Sequence, residues 1–527
     1  MSTKDRFLPR ALLVVLLLQF LCSFRPSHLA WDGIFYYAYA RSVLFDGDLR
    51  LDNDLTLSYD ITPAEDFAAA GFERALTPTG RVANPFAIGT ALLWLPWLAV
   101  ATGAARLAGL PGLDPAALTG YEWPFVWTAA VATCVYGWLG AVAAYRLARK
   151  VASERAALLA AATAMVATPL WYYGFREPFY AHAASALTVA VLANAWWQWA
   201  SEADPPAWKT LLLGGIGGLA ALVRWQNVTY LSLPLLSLLA AAWPALRKRG
   251  WRPAVISLRH AALIGLGAAW VMALQSAVWR VLYGRFLTIP QGAGFIDWRA
   301  PWLGETLLST FNGLLPWMPL VVPTLAGLLL LARRQPRLAF PLLVAFLFQV
   351  YVNACLDPAS SGGGYGPRRF SNTLILLVVG YAALLDCWRG RWGRRAGVGL
   401  SGLLALHQLL LLRFGFPERI GRQAAVVFPD WAWAIQDLAR FGAQVAGYLP
   451  RVFAHPLRAL VMPSSPLALL NTDPLASVAV TALFAGVLVA ICLLLRWGRL
   501  LLRAPRLLLA TSAALIALAC WWILACA

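Results

Sequence analysis

The stretch EWPFVWTAAVATCVYGWLGAVAAYRLARKVASERAALLAAATAMVATPLWYY, residues 122–173, decides the fold. Two apolar runs, 122–147 and 156–173, flank a short block holding Arg146, Arg149, Lys150, Arg155 and one acid, Glu154. A helix needs about 20 apolar residues to cross the ~30 Å hydrocarbon core of a bilayer. Basic residues gather in the loops that stay in the cytoplasm. The stretch therefore reads as two membrane spans joined by a cytoplasmic turn.

Working outward, the same alternation fills the chain. Further basic blocks are Arg247/Lys248/Arg249/Arg252, Arg333/Arg334/Arg337, Arg389/Arg391/Arg394/Arg395 and Arg496/Arg499/Arg503/Arg506. Pinned by these blocks, spans are expected near 10–24, 122–147, 156–173, 180–200, 210–223, 227–243, 257–282, 306–331, 338–354, 371–389, 397–413, 474–495 and 507–525. That makes about 13 transmembrane helices in an all-α, polytopic protein, with the N-terminus inside. The first run follows Lys4, Arg6 and Arg10 like a signal peptide, but no A-x-A site follows it, so it reads as a span. The apolar stretch 86–107 breaks the parity, because a crossing there would put Arg146–Arg155 outside. It is expected to be an interfacial or re-entrant helix of the first external loop. The pair 210–223 and 227–243 reads as a tight hairpin with Arg224 at its external tip.

Composition agrees. Of 527 residues, 60% are hydrophobic and 13% charged, where soluble domains are nearer about half and about a quarter. The net charge of +19 sits in these loop blocks, which argues against nucleic acid as a partner and for a membrane. Localisation is read as a cell inner membrane, multi-pass. The seven cysteines show no metal-ligand spacing and imply no disulfide framework. No internal repeat is visible, which argues against a transporter built from inverted halves.

External segments 25–121, 283–305 and 414–473, with the shorter 355–370, are long enough to hold a site. Nine acids fall between Arg25 and Pro85, and Asp32 stands out among them. It is held close to the first span and precedes a helix, Gly33–Phe45, that carries Phe35, Tyr36, Tyr37, Tyr39 and Phe45. Aspartate is also a favoured helix N-cap, and a capping carboxylate is rigidly aimed. Asp46-Gly47-Asp48 closes that helix, with Gly47 suited to a left-handed cap.

A second polar cluster runs from Trp171 to His182, where Arg176, Glu177 and His182 lie among six aromatics. Ionisable groups at membrane depth are costly and usually functional. The third is Asp357–Phe370, in which Gly362, Gly363, Gly364 and Gly366 precede Arg368 and Arg369. Glycines let backbone approach a ligand and arginine forks suit phosphate, although no Gly-Lys-Ser/Thr ending makes this a P-loop.

The ordered set resembles the GT-C glycosyltransferases, a superfamily that includes protein O-mannosyltransferases and the lipid A aminoarabinose transferase. The resemblance rests on Trp31-Asp32-Gly33 with Tyr36-Tyr37 and Arg41-Ser42, then Asp46-Gly47-Asp48-Leu49. It continues through Asn84–Gly89, Leu93–Pro96, Thr168–Tyr173 with Glu177-Pro178 and His182, Leu222–Gln226, and Gly363–Arg368. It covers the chain to about residue 390 and divides it into a catalytic module, 1–390, and a C-terminal transmembrane region, 391–527, with external segment 414–473. The resemblance implies a polyprenyl-phosphate-linked sugar donor and a lipid, glycan or protein acceptor presented on the external (periplasmic) face. It implies inversion at the anomeric carbon and Asp32 as general base. Many members carry two adjacent acids where this chain has Asp32 and Gly33. A second acid must then come from elsewhere, Glu177 being the first choice, and dependence on a divalent metal stays open. Arg41, Tyr37, His182, Arg224, Tyr365, Arg368 and Arg369 are the candidate substrate-binding residues. Two other classes are weighed beside this one: a lipid-linked sugar flippase or other transporter, and a surface-polysaccharide polymerase or ligase using 414–473.

Overall fold

The computed structural model describes residues 10–25, 29, 32–54, 76–108, 114, 117–247, 251–292, 294–356, 364–418, 431–501 and 505–525. Trp31, most of the glycine-rich loop (357–363) and residues 419–430 lie outside them. The described chain is helical, with only two isolated β-bridges. Among the described residues, six helices are long and apolar enough to cross a membrane: Gly89–Leu107, Trp123–Ala148, Arg252–Tyr283, Pro336–Ala354, Arg368–Cys387 and Gly390–Gly415. Shorter apolar helices, including Arg10–Ser23, Ala207–Val223 and Thr511–Ala525, stand beside them.

At the centre of the bundle lies Leu374–Cys387, part of the most buried of these six spans, which packs on Val321–Arg334, Trp123–Ala148 and Glu154–Val166. Trp123–Ala148 also lies along His182–Ala200, and Ala207–Val223 along Arg252–Tyr283. Two of the basic blocks approach each other at one end. There the Ser153 amide, in the turn after Arg149-Lys150, donates to Asp386 at the end of the central helix (2.9 Å).

Most expected spans are present within a few residues, and three differ in form. The span expected over 306–331 is broken into Leu303–Leu308, Leu314–Trp317 and Val321–Arg334. Pro316 and Pro319 cannot donate to a helix ladder, and the backbone opens at Ser309 and Met318. The span 156–173 bends at Ala167–Pro169 into Glu154–Val166 and Leu170–Phe175. The second hairpin arm starts as a 3-10 turn, Trp225–Leu231, before Ser232–Arg247. Stretch 86–107 is one unbroken helix, Gly89–Ala108, with Pro96 inside it. The expected first-loop helix is present and closed by Gly47 at φ 73°, but it is α-helical only over Asp32–Arg41 and ends in a π turn, Ser42–Asp46.

Candidate functional site

At the end of the bundle opposite the arginine blocks, several helices begin or end together. Asp32 opens the first-loop helix, His182 opens His182–Ala200, Arg224 follows Ala207–Val223, and Arg368 opens a 3-10 turn leading into the central helix. A residue at a helix terminus can turn its side chain across the bundle axis, and these four do so.

Arg368 Nη1 donates to Asp32 Oδ2 at 3.1 Å, with both side chains mostly buried. The Arg368 guanidinium lies over the Tyr180 ring, 5.4 Å from its centroid. Tyr180 stacks on His182 (5.8 Å), and Tyr173 contacts the same imidazole at 4.3 Å. Arg224 Nη1 donates to His182 Nδ1 at 2.5 Å. A guanidinium cannot accept a hydrogen bond, so His182 is neutral at Nδ1 and carries its proton on Nε2. Two guanidinium groups, one carboxylate and one imidazole thus share an aromatic wall.

A buried amide network sets the height of the arginines. Gln226 Nε2 donates to the Arg369 carbonyl (2.7 Å), while its Oε1 accepts from Arg224 Nη2 (3.2 Å). Gln349 Nε2 donates to Thr229 Oγ1 (2.5 Å), and Gln349 Oε1 accepts from Asn372 Nδ2 (2.9 Å). Asn372 also reaches Asn227 (2.8 Å), whose Nδ2 donates to Ser185 (2.8 Å). Sequence reasoning missed Gln349, Asn372 and Ser185. Their signal was the presence of amides and a hydroxyl inside apolar spans, where side chains of this kind bond between helices.

Glu177 is half-buried near this group, close enough to act on Tyr173 and Tyr180. Its Oε2 has no hydrogen-bond partner, and burial pushes its carboxyl up to about 7 against the pull of Arg25 and Arg176. Arg176 reaches the Ser23 and Pro463 carbonyls (3.3 and 2.9 Å). Position 33 is closed to a second acid, because a Cβ on Gly33 would lie 2.7 Å from Phe179 Cβ. Around Asp32 the partners are a guanidinium and aromatic rings. Among the described residues, no group of three or more His, Cys, Asp or Glu is arranged to hold a metal ion.

The remaining candidates fall elsewhere. Tyr37 is fully buried, its hydroxyl donating to the Gly120 carbonyl (2.6 Å). Arg41 pairs with Asp46 and, at 3.6 Å, with Asp54, and its Nε donates to the Thr119 carbonyl (2.7 Å). Burial pushes Asp54 up to about 7 despite Arg41 and the hydroxyl of Tyr121. Together they fasten the first loop to the start of Trp123–Ala148. Tyr365 is also fully buried, stacked on Tyr172 at 4.7 Å, with its hydroxyl accepting from Gln408 Nε2 (2.6 Å). Its amide donates to Tyr173 (2.7 Å), which anchors the turn that carries Arg368.

Arg368 and Arg369 also border a small cleft of about 50 Å³, lined by Glu305, Thr306, Ser309, Phe311 and Asn312 and by Asn353 at the end of Pro336–Ala354. Behind that wall, Thr310 Oγ1 donates to Asp437 (2.6 Å), which ties segment 414–473 to the cleft.

The fold and site define a polytopic helical membrane protein with a carboxylate–guanidinium pair where its helices begin and end. No family model and no curated protein matches the chain. Among solved structures it is similar to ArnT from Cupriavidus metallidurans bound to undecaprenyl phosphate, at 16% identity and TM-score 0.46, covering 90% of this chain and 75% of that one. It is likewise similar to the apo state of the same enzyme, at 15% identity and TM-score 0.47, covering 92% and 76%.

Proposed function

We propose that the chain is a glycosyltransferase that moves a sugar from a polyprenyl-phosphate donor to an acceptor hydroxyl. The reaction would run at the end of the bundle opposite the basic loops, the external (periplasmic) face of an inner membrane. The observation that carries this reading is the 3.1 Å pair between Asp32 and Arg368, which joins the first loop to a turn 336 residues away.

In this reading the acceptor hydroxyl attacks the anomeric carbon as the carbon–oxygen bond to the phosphate breaks, inverting that carbon. Asp32 takes the hydroxyl proton, a role typically worth about 10²–10⁴ in rate for a positioned base. The electron pair leaves with the polyprenyl phosphate, and Arg368, Arg369 and Arg224 supply fixed cationic donors for its charge. His182, neutral and held by Arg224, positions that guanidinium. Glu177 is the second carboxyl of the site. The donor carries the activation energy, so no nucleotide site is required.

The test is transfer from a labelled undecaprenyl-phosphate sugar by the purified full chain. Asp32→Asn should reduce turnover by about 10²–10⁴ at normal membrane levels. Undiminished transfer would remove Asp32 as the base.

A further inference from the structure

Four parts of the chain that are distant in sequence meet where the first span ends. The Arg25 amide donates to the Phe175 carbonyl (2.8 Å), and the Met462 amide to the Cys22 carbonyl (2.7 Å). Arg176 Nη1 reaches the Ser23 and Pro463 carbonyls. The π turn Leu411–Gly415 joins through Arg413, whose Nε donates to the Arg458 carbonyl (3.4 Å). This seam gathers Arg25, Arg176 and Arg413, all partly buried. Burial, together with the charges of Arg25 and Arg413, holds Arg176 down to about 10.

Among the described residues, none of these three arginines forms an ion pair. The bonds of Arg176 and Arg413 go to neutral carbonyls through one nitrogen each, whereas a guanidinium has five donors. Arginines on the side read as external also run against the charge bias that orients the chain. The surface beside them is apolar. Phe453 and Leu457, in the short helices Leu449–Ala454 and Pro456–Leu460, are largely exposed, as is Leu18, one turn before Cys22 on the first span. An inorganic anion meets only the charges, and a neutral lipid meets only the apolar surface. An anionic lipid meets both, through its phosphate and its chains. We propose that this seam binds the phosphate headgroup of an anionic lipid of the outer leaflet, with its chains along Leu18 and Leu457. The site uses none of Asp32, His182, Arg224 and Arg368, and it does not depend on the transfer reading.

The experiment is lipid retention by the full chain in detergent, read by native mass spectrometry. The probes are phosphatidylglycerol, phosphatidylcholine with the same chains, glycerol 1-phosphate and undecaprenyl phosphate. Phosphatidylglycerol should be retained about ten-fold or more tighter than phosphatidylcholine, since each arginine near an anionic lipid contributes about a factor of five. Arg25→Gln with Arg413→Gln should erase that preference without lowering the lipid-free melting temperature, because Arg176 keeps its carbonyl bonds and loses two like charges. Arg25→Gln alone removes a side chain that makes no hydrogen bond among the described residues, and should lower the preference about five-fold. Arg299→Gln, at an exposed arginine of external segment 283–305, should change nothing. The inference is overturned if the two lipids are retained equally, or if the preference survives the double substitution. Glycerol 1-phosphate binding as tightly as phosphatidylglycerol would make this a free-phosphate site and overturn it too. Loss of undecaprenyl phosphate in step with phosphatidylglycerol would assign the arginines to the donor and overturn it as a separate site.

Discussion

At the scale of single residues, the contact between Gly33 and Phe179 answers a question the sequence could only pose. The resemblance implied a second acid beside Asp32, and the chain has glycine there. Restoring the paired acids with Gly33→Asp should therefore lower stability by about 1–3 kcal/mol, the usual cost of overpacking, read as a lower melting temperature without gain of activity. The Asp32–Arg368 pair is testable by a double-mutant cycle. Asp32→Asn and Arg368→Ala, alone and together, should show a coupling of about 0.5–3 kcal/mol in unfolding free energy. Additive effects would mean that the two groups do not interact. Asp54 and Glu177 set a pH dependence. Each titrates near 7 in the folded chain, against ordinary values of 3.8 and 4.5. Between those values and 7 the folded state holds protons that the unfolded state has lost. Unfolding releases them, so stability falls as pH rises through this window and levels above about 7. Melting curves from pH 5 to 8 should show that decline, and Asp54→Asn with Glu177→Gln should flatten it.

At the scale of elements, what was legible followed from what a bilayer demands. Long apolar runs between arginine blocks gave nearly every helix, because charge and hydropathy suffice to fix them. The 306–331 region was misread as one span because hydropathy counts Leu314, Leu315 and Trp317 as membrane residues whatever their backbone does. Its Pro316 and Pro319 were the overlooked signal. At one end of the bundle, Asp32 meets Arg368 and Arg224 meets His182, all four picked out by the ordered motifs. Tyr37, Arg41 and Tyr365, chosen by the same reasoning, are buried in contacts of their own, and a motif does not say which face of a helix its residue occupies. The amide network was invisible for a related reason: a lone glutamine in an apolar run carries no sign of its partner. Gln349→Leu should expose its weight. Removing Gln349 leaves Gln226 and Asn372 short of partners, at a cost of about 1–3 kcal/mol for unsatisfied buried groups. Melting temperature and phosphate affinity should fall together, because Gln226 holds Arg224 and the Arg369 carbonyl in place.

At the scale of the whole molecule, the two ends of the bundle are chemically distinct, and one helix decides how the first loop sits between them. The turn after Arg149-Lys150 meets Asp386 at the basic end, while Asp32, His182, Arg224 and Arg368 meet at the other. Helix Gly89–Ala108 is long enough to cross, yet its contacts lie near the site. Gly89 abuts the backbone of Leu222 and Val223, just before Arg224. The Leu93 carbonyl accepts from Tyr136 (2.5 Å), and Trp94 donates to Thr133 (3.0 Å), level with Gly137, which meets Ala183 beside His182. The Tyr37 ring touches both Trp94 and Tyr121, so the helix is tied to the Trp123 end of its neighbour, away from Arg146. From there it should rise on the external side, as the charge rule requires of 86–107. Leu107 is largely exposed, so in a cysteine-free background Leu107→Cys should react with an impermeant maleimide added outside intact cells. Trp298→Cys should react likewise, while Arg149→Cys and Arg334→Cys should react only after permeabilisation. If Leu107→Cys instead groups with Arg149→Cys, the helix crosses the membrane and the interfacial reading of 86–107 fails.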